Sequence, residues 1–364
     1  MNFQEAQRLF NNDRVQDLSQ DGDGLRFLKL RSLNRKEHLE RLFRIIGVAP
    51  GDSSARAMFR QAFECPQVTS RVLSHLIREI YEEERASRRQ AEPELVNNLY
   101  RLKVFDWGRL HQNSLEKTIV DNYVKKIRSF DSLCEKIDNE LHDSMRGYVL
   151  NSWYNHWTSI IIEDVFRDHA AVLPAVGQVK KIDFFVHDVP FDLKVTYLPE
   201  GFIQERRRHD GHRPELTLLK QSARQHRIPV NGSLADARLL EDLWLKHGDN
   251  PAQSAQAVIA ELRNYRLALL EECQQNPEVL IRWLYENQGV RRFDASNRLF
   301  LVLVDRANFF DSWKLKRAKQ LLDNKIRSYL DGVGRSPGRL VRFDWEGTTY
   351  SAVSDVVFVV HPNN

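Results

Sequence analysis

Two short apolar runs near the middle of the chain, IDFFV (residues 182–186) and FDLKVTY (191–197), contain charged residues at alternating positions. Side chains alternate between the two faces of a β-strand. If the two runs form an antiparallel hairpin, Asp183, Asp192 and Lys194 therefore converge on one face, while most of the apolar side chains cover the other. Two acids and a lysine inside an otherwise buried hairpin are the strongest constraint in this sequence.

The residues between the two runs, HDVP, are interpreted as a four-residue loop. This loop places Val186 opposite Phe191 and Asp183 opposite Lys194, with Asp192 diagonal to Asp183. Any loop of even length keeps the same side chains on the same face. The convergence of the charges is therefore independent of the turn type.

The rest of the chain alternates between helical and strand-like patterns. Residues 1–112 have helical periodicity, whereas residues 113–364 combine long helical patterns with the hairpin, a strand at 298–305 and two C-terminal strands. This order predicts an α/β or α+β protein, in which a mixed central sheet is flanked by helices and preceded by a helical N-terminal region.

Composition places the chain among soluble globular proteins, because 42% of its residues are apolar and 29% are charged. No run of 18 apolar residues is present and the N-terminus lacks the pattern of a secretory signal, so we expect neither a membrane span nor export. The three cysteines are scattered, which indicates neither a disulfide framework nor a zinc site. A cytoplasmic location fits best, and a net charge of +4 permits a polyanionic partner.

The charged residues of the hairpin are of the types that bind a metal ion and act on a phosphate group. Two adjacent carboxylates, Asp183 and Asp192, can hold a hard cation such as Mg²⁺ together with waters and a substrate phosphate. A lysine beside the metal, Lys194, can position or deprotonate a water and stabilise charge on phosphorus. The same pattern is also typical of a structural ion pair on a solvated face.

The order of a helix acid, a strand Asp and a strand Asp-x-Lys resembles the PD-(D/E)XK nuclease superfamily, which includes many restriction endonucleases. The similarity covers about residues 145–200, although Ile182 stands where a proline often precedes the first acid. The resemblance implies a restriction-endonuclease-like core in which Asp183 and Asp192 bind Mg²⁺, with Mn²⁺ as a possible substitute. It also implies that the carbonyl of Leu193 is a third ligand and that Lys194 is the catalytic lysine.

This family often adds an acid from the preceding helix, here within the segment SWYNHWTSIIIEDVF. On a helical wheel Asp164 falls near the centre of the apolar stripe and Glu163 at its edge, so geometry alone does not choose between them. The resemblance favours Glu163 as a catalytic and metal-binding residue. Both acids could equally be ordinary residues of a helix surface.

Basic residues near the hairpin are candidates for contact with nucleic-acid phosphates. Residues 199–215 are interpreted as a polar loop, and residues 311–330 as a helix whose basic side chains lie outside its packed stripe. A solvated loop or helix face is the simpler explanation of both segments. The candidates are Arg206, Arg207, Arg208, Lys316 and Arg317.

The resemblance implies a Mg²⁺-dependent endonuclease that cuts double-stranded DNA, with a role in defence against foreign DNA. A homodimer would match the two-fold symmetry of duplex DNA, and residues 1–112 could serve recognition or dimerisation. Two alternatives stay open. One is a repair or RNA nuclease of the same fold, and the other is a non-catalytic nucleic-acid-binding protein in which the charges form a structural network.

Overall fold

A six-stranded mixed sheet lies at the centre of the molecule. The computed structural model describes residues 1–362 except 108–114, 180, 288–295 and 346. The strands are β1 (Val172–Val179), β2 (Ile182–Val186), β3 (Val189–Tyr197), β4 (Arg298–Asp305), β5 (Arg339–Trp345) and β6 (Thr348–His361). Their order across the sheet is β1-β2-β3-β4-β6-β5, with β3, β4 and β6 parallel and the outer pairs antiparallel.

Helices surround the sheet in three groups. The N-terminal group is α1 (Phe3–Asn11), α2 (Val15–Ser19), α3 (Gly22–Arg31), α4 (Lys36–Ile46), α5 (Ala55–Glu64) and α6 (Ser70–Leu99). The second group is α7 (Leu115–Ile119), α8 (Phe130–Lys136) and α9 (His142–Arg167), joined by π-helical turns at Val120–Val124 and Ile137–Leu141. The third is α10 (Glu200–His209), α11 (Glu215–His226), α12 (Asp236–Gly248), α13 (Gln253–Gln275), α14 (Pro277–Asn287) and α15 (Lys319–Gly332), with a 3-10 helix at Phe309–Arg317 before α15. The described part of the chain contains no helix long and apolar enough to cross a membrane.

The central strand β4 is apolar on both faces, as is usual for a parallel strand covered on both sides. Leu299, Leu301 and Leu303 pack in one core cluster with side chains of α9 and α15. Phe300 and Val302 pack in another with α10, α13 and α14. The prediction of a mixed sheet flanked by helices is confirmed at this level.

The N-terminal helices share a core with the first two strands. Ala175, Val176 and Phe185 belong to the same buried cluster as the side chains of α1 to α6. At Gly177 a Cβ atom would lie 2.6 Å from the carbonyl oxygen of Ser32, so this position of β1 requires glycine. The proposed boundary between residues 112 and 113 lies outside the described residues.

The hairpin forms as predicted, but its turn is shorter. Only His187 and Asp188 form the turn, both with positive φ, as in a two-residue turn of the hairpin type. Val189 pairs with Val186, so the four-residue loop and its register were wrong. Continuing the observed register by one residue brings Asp183 level with Asp192 rather than Lys194, and the faces are unchanged because both loops have even length.

The segment after the hairpin is also more ordered than expected. Residues 199–215 were predicted as a loop, but most of them form α10, whose buried side chains include Phe202, Ile203 and Arg207. The prediction failed because the run of three arginines made the segment read as wholly polar, although one side of the helix is apolar. The basic helix predicted at 311–330 is divided into the 3-10 helix and α15.

Candidate active site

The predicted acids lie where β2 and β3 stop pairing. The ladder between these strands begins at the pair Phe184–Phe191 and runs to the turn. Beyond Phe191, no described strand pairs with β3 on the side of β2. The carboxylate of Asp183 accepts a hydrogen bond from the backbone N–H of Leu193 at 2.7 Å, which replaces the missing ladder contact. The hairpin therefore holds Asp183 at the open edge of β3.

Asp192 lies between two cations on the same part of the sheet. The Nζ atom of Lys194 donates to Asp192 Oδ1 at 2.5 Å. Arg298, the residue paired with Asp192 across the parallel ladder, places Nε 3.7 Å from Oδ2. The guanidinium group of Arg298 also lies 4.9 Å from the ring centre of Tyr285. Sequence analysis missed Arg298, because its position beside Asp192 depends on which strands become neighbours.

Asn297 fixes β3 at the height of the site, and it too was missed. Its carbonyl accepts from the N–H of Asp192 at 3.0 Å, and its side-chain amide donates to the carbonyl of Pro190 at 3.1 Å. Its side-chain oxygen accepts from the N–H of Val353 on β6 at 2.9 Å. This residue thus ties three parallel strands together next to Asp192, and no local sequence signal marks it.

The two adjacent candidate acids of α9 contact different parts of the protein. Asp164, only 2% exposed, accepts two hydrogen bonds from Arg88 of α6, at 2.8 and 2.9 Å. Glu163 instead pairs with Arg167 at 2.7 Å, and Arg167 donates to the carbonyl oxygen of Asp183 at 3.2 Å. Asp164 therefore joins α9 to α6, whereas Glu163 lies on the side of the hairpin acids. Arg167, which connects Glu163 to Asp183, was not predicted.

Burial raises the carboxyl pKa of two of these acids, Asp183 and Glu163. The pKa of the Asp183 carboxyl is raised above its ordinary value, chiefly by burial and then by the negative charge of Asp192. Burial also raises the pKa of Glu163, and the charge of Asp183 adds to this effect, while Arg167 opposes it. A cation placed between the carboxylates would relieve this repulsion, which makes the site suited to a positive ligand.

Few groups at the site could serve as metal ligands. Among the described residues, no three His, Cys, Asp or Glu side chains lie close enough together to hold a metal ion. Asp183 and Asp192 form a pair, and the carbonyl of Leu193 points to the same edge as its N–H, toward Asp183, because the two groups of a strand residue share one side. Two carboxylates and a carbonyl are sufficient for a cation that retains several waters.

The basic candidates separate into buried and exposed residues. Arg207 is 1% exposed and donates to the carbonyl of Arg213, and Arg317 is 6% exposed and donates to the carbonyls of Leu99 and Leu102. Both guanidinium groups are therefore hydrogen-bonded to the protein's own backbone.

The other three basic candidates differ in exposure. Arg206 is half-buried and pairs with Glu272 at 2.8 Å, whereas Arg208 is exposed. Lys316 is half-buried, donates to Asn155 at 2.9 Å, and has its pKa lowered to about 8 by burial. Of the five basic candidates, Arg208 is thus the most accessible to a polyanion.

Comparison of the chain with models of protein families, with curated proteins and with solved structures found no match.

Proposed function

We propose that the chain is a metal-dependent endonuclease of the PD-(D/E)XK type that hydrolyses double-stranded DNA in restriction or defence. The observation that supports this best is the meeting of Asp183, Asp192 and Lys194 at the open edge of β3. Helix α9, with Glu163, and strands β2 and β3 carry the motif positions in the expected chain order. A restriction-endonuclease-like core follows from this reading of the fold.

In this proposal Asp183, Asp192 and the carbonyl of Leu193 hold Mg²⁺, or Mn²⁺ in its place. The bound ion supplies Lewis-acid polarisation of the phosphate that is attacked. Arg167 holds the carboxylate of Glu163 and the backbone of Asp183 in place, and so acts as a positioning residue. Arg298 compensates the charge of Asp192 from the opposite side.

Lys194 is the residue that acts on the reacting atoms. Its ammonium group is tethered to Asp192 and its side chain is 32% exposed, so it can reach a substrate phosphate from the protein edge. There it orients the attacking water and stabilises negative charge that develops on the phosphoryl oxygens. Cleavage of both strands would require two such sites, which favours a homodimer on duplex DNA.

The closed ion network of Lys194, Asp192 and Arg298 also favours the second candidate, a non-catalytic protein in which these charges stabilise the sheet. The two candidates differ in turnover. We expect the wild-type protein to cut supercoiled plasmid in Mg²⁺ and to leave it intact in EDTA, because hydrolysis needs the ion.

Competition between duplex DNA, branched DNA and RNA in the same assay identifies the substrate. Preference for the branched DNA indicates a repair nuclease, and preference for RNA indicates a ribonuclease of the same fold. Binding of nucleic acid without metal-dependent cutting of any of the three would contradict the proposal and favour the non-catalytic protein.

A further inference from the structure

A cavity of about 380 Å³ lies among the N-terminal helices. Helix α1 contributes Gln7 and Asn11 to its wall, the C-terminal end of α3 contributes Arg31, and α5 contributes Arg56. Asn34, in the loop between α3 and α4, completes the polar part of the wall. The three charged residues of the hairpin are outside this wall, so the cavity is separate from the candidate active site.

The charge of the wall has a single sign. Of the described residues that line the cavity, the two charged ones are arginines, three are carboxamides, and none is Asp or Glu. Asp52, the acid closest to Arg56 along the chain, lies outside the wall and accepts from the backbone N–H of Ser54 at 2.6 Å. Two cations on a wall without an anion attract a negatively charged group.

Arg31 is a half-buried cation without a counter-charge. Its guanidinium group lies 4.6 Å from the ring centre of Phe10 and 5.3 Å from that of Phe59. No described residue forms an ion pair or a hydrogen bond with it, and burial lowers its pKa. A charge removed from water in this way is costly unless it is paired and hydrogen-bonded. An anion in the cavity would supply both kinds of interaction.

The hydrogen-bond donors on the wall suit the oxygen atoms of a phosphate. A guanidinium group held against aromatic rings, as in Arg31, presents its N–H groups in a fixed fork that matches two phosphate oxygens. Asn11 Oδ1 accepts from Gln7 Nε2 at 2.8 Å, so the amide N–H groups of Asn11 are what it can offer to a ligand. Ala55 and Arg56, both on the wall, begin the ten-residue helix α5, whose positive end adds to the attraction.

We propose that this cavity binds a phosphate group through Arg31 and Arg56, with Asn11 donating to a further phosphate oxygen. Binding gives the guanidinium group of Arg31 the counter-charge that the chain does not provide. The phosphate belongs either to a free phosphorylated compound or to the backbone of a nucleic acid. This inference goes beyond the proposed nuclease function and does not depend on it.

Calorimetric titration with inorganic phosphate, at an ionic strength held constant with chloride, tests this inference. We expect the wild-type protein to bind phosphate at one site. Arg56→Gln should weaken this binding about tenfold, because a charge-assisted hydrogen bond is lost, and Arg31→Gln should weaken it by about tenfold or more.

Binding of a DNA duplex in EDTA, measured over a range of salt concentrations, separates the two sources of the phosphate. If the DNA backbone is the source, Arg56→Gln lowers the slope of log K against log salt by about 1, and inorganic phosphate competes with the duplex. If Arg56→Gln weakens binding of inorganic phosphate but leaves the salt slope unchanged, the source is a free phosphorylated compound.

Arg44→Gln is the matched control, because Arg44 is an exposed arginine of α4 outside the wall. It should leave both measurements unchanged. If Arg31→Gln fails to fold, the variant of the exposed Arg56 decides the outcome. A wild-type protein that binds no phosphate, or one whose phosphate affinity is the same in both variants, overturns this inference. Neither result bears on the nuclease proposal, which is read from metal-dependent cutting.

Discussion

Replacement of Lys194 by alanine is expected to slow cleavage of duplex DNA about a thousandfold under single-turnover conditions. The reason is that its ammonium group is the cation placed to orient water and to stabilise charge at the scissile phosphate. The fold should survive, because the side chain of Lys194 is partly exposed and Asp192, which loses this partner, still has the guanidinium group of Arg298 3.7 Å away.

Lys36→Ala is the matched control for this variant. Lys36 lies on α4, is more exposed than Lys194, and pairs only loosely with Glu40 at 3.8 Å. It should cut DNA at the wild-type rate. A Lys194→Ala protein that folds normally and cuts within tenfold of wild type would show that this lysine has no catalytic role.

The neighbouring acids Glu163 and Asp164 are expected to give opposite results. Asp164→Asn should lower the free energy of unfolding by about 2–3 kcal/mol, measured by urea denaturation, because the buried carboxylate that binds the half-buried Arg88 through two charge-assisted hydrogen bonds, and that lies 3.7 Å from the buried Arg85, is lost. Glu163→Gln should lower stability less, by about 1 kcal/mol, since the amide oxygen can still accept from Arg167 and Arg167 keeps its bond to the carbonyl of Asp183. It should instead slow cleavage by about 10- to 100-fold, the usual effect of disturbing groups that support a metal site.

The comparison is sharp because the two residues are adjacent and each substitution replaces a carboxylate by its amide. A stable Asp164→Asn protein with impaired cleavage, together with a fully active Glu163→Gln protein, would exchange the two roles. In that case the ion pair with α6 would be part of the active site rather than of the helix packing.

The charged face of the hairpin could be predicted from the sequence, because side-chain alternation depends only on the strands and on an even loop length. The pairing register of the two strands could not be predicted. His187 and Asp188 adopt positive φ, so the turn closes after two residues and Val189 and Pro190 extend β3. In the observed register Asp183 lies opposite Asp192 instead of Lys194. Two acids therefore face each other where an ion pair was predicted.

Contacts between distant segments account for what the sequence did not reveal. Arg298 and Asn297 reach Asp192 only because β4 becomes the parallel neighbour of β3. The separation of Glu163 from Asp164 depends on Arg88, which lies 76 residues away from Asp164 in the chain. The helical wheel of α9 contained no information about α6, so it could not choose between the two acids.

The central claim is that Asp183 and Asp192 together hold the metal ion on which cleavage depends. Its most direct test is a crystal structure grown in saturating Mn²⁺, with the ion located by its anomalous scattering. We predict a peak at bonding distance from a carboxylate oxygen of Asp183, a carboxylate oxygen of Asp192 and the carbonyl oxygen of Leu193. A structure with no peak between these groups, and with Lys194 still bonded to Asp192, would contradict the claim.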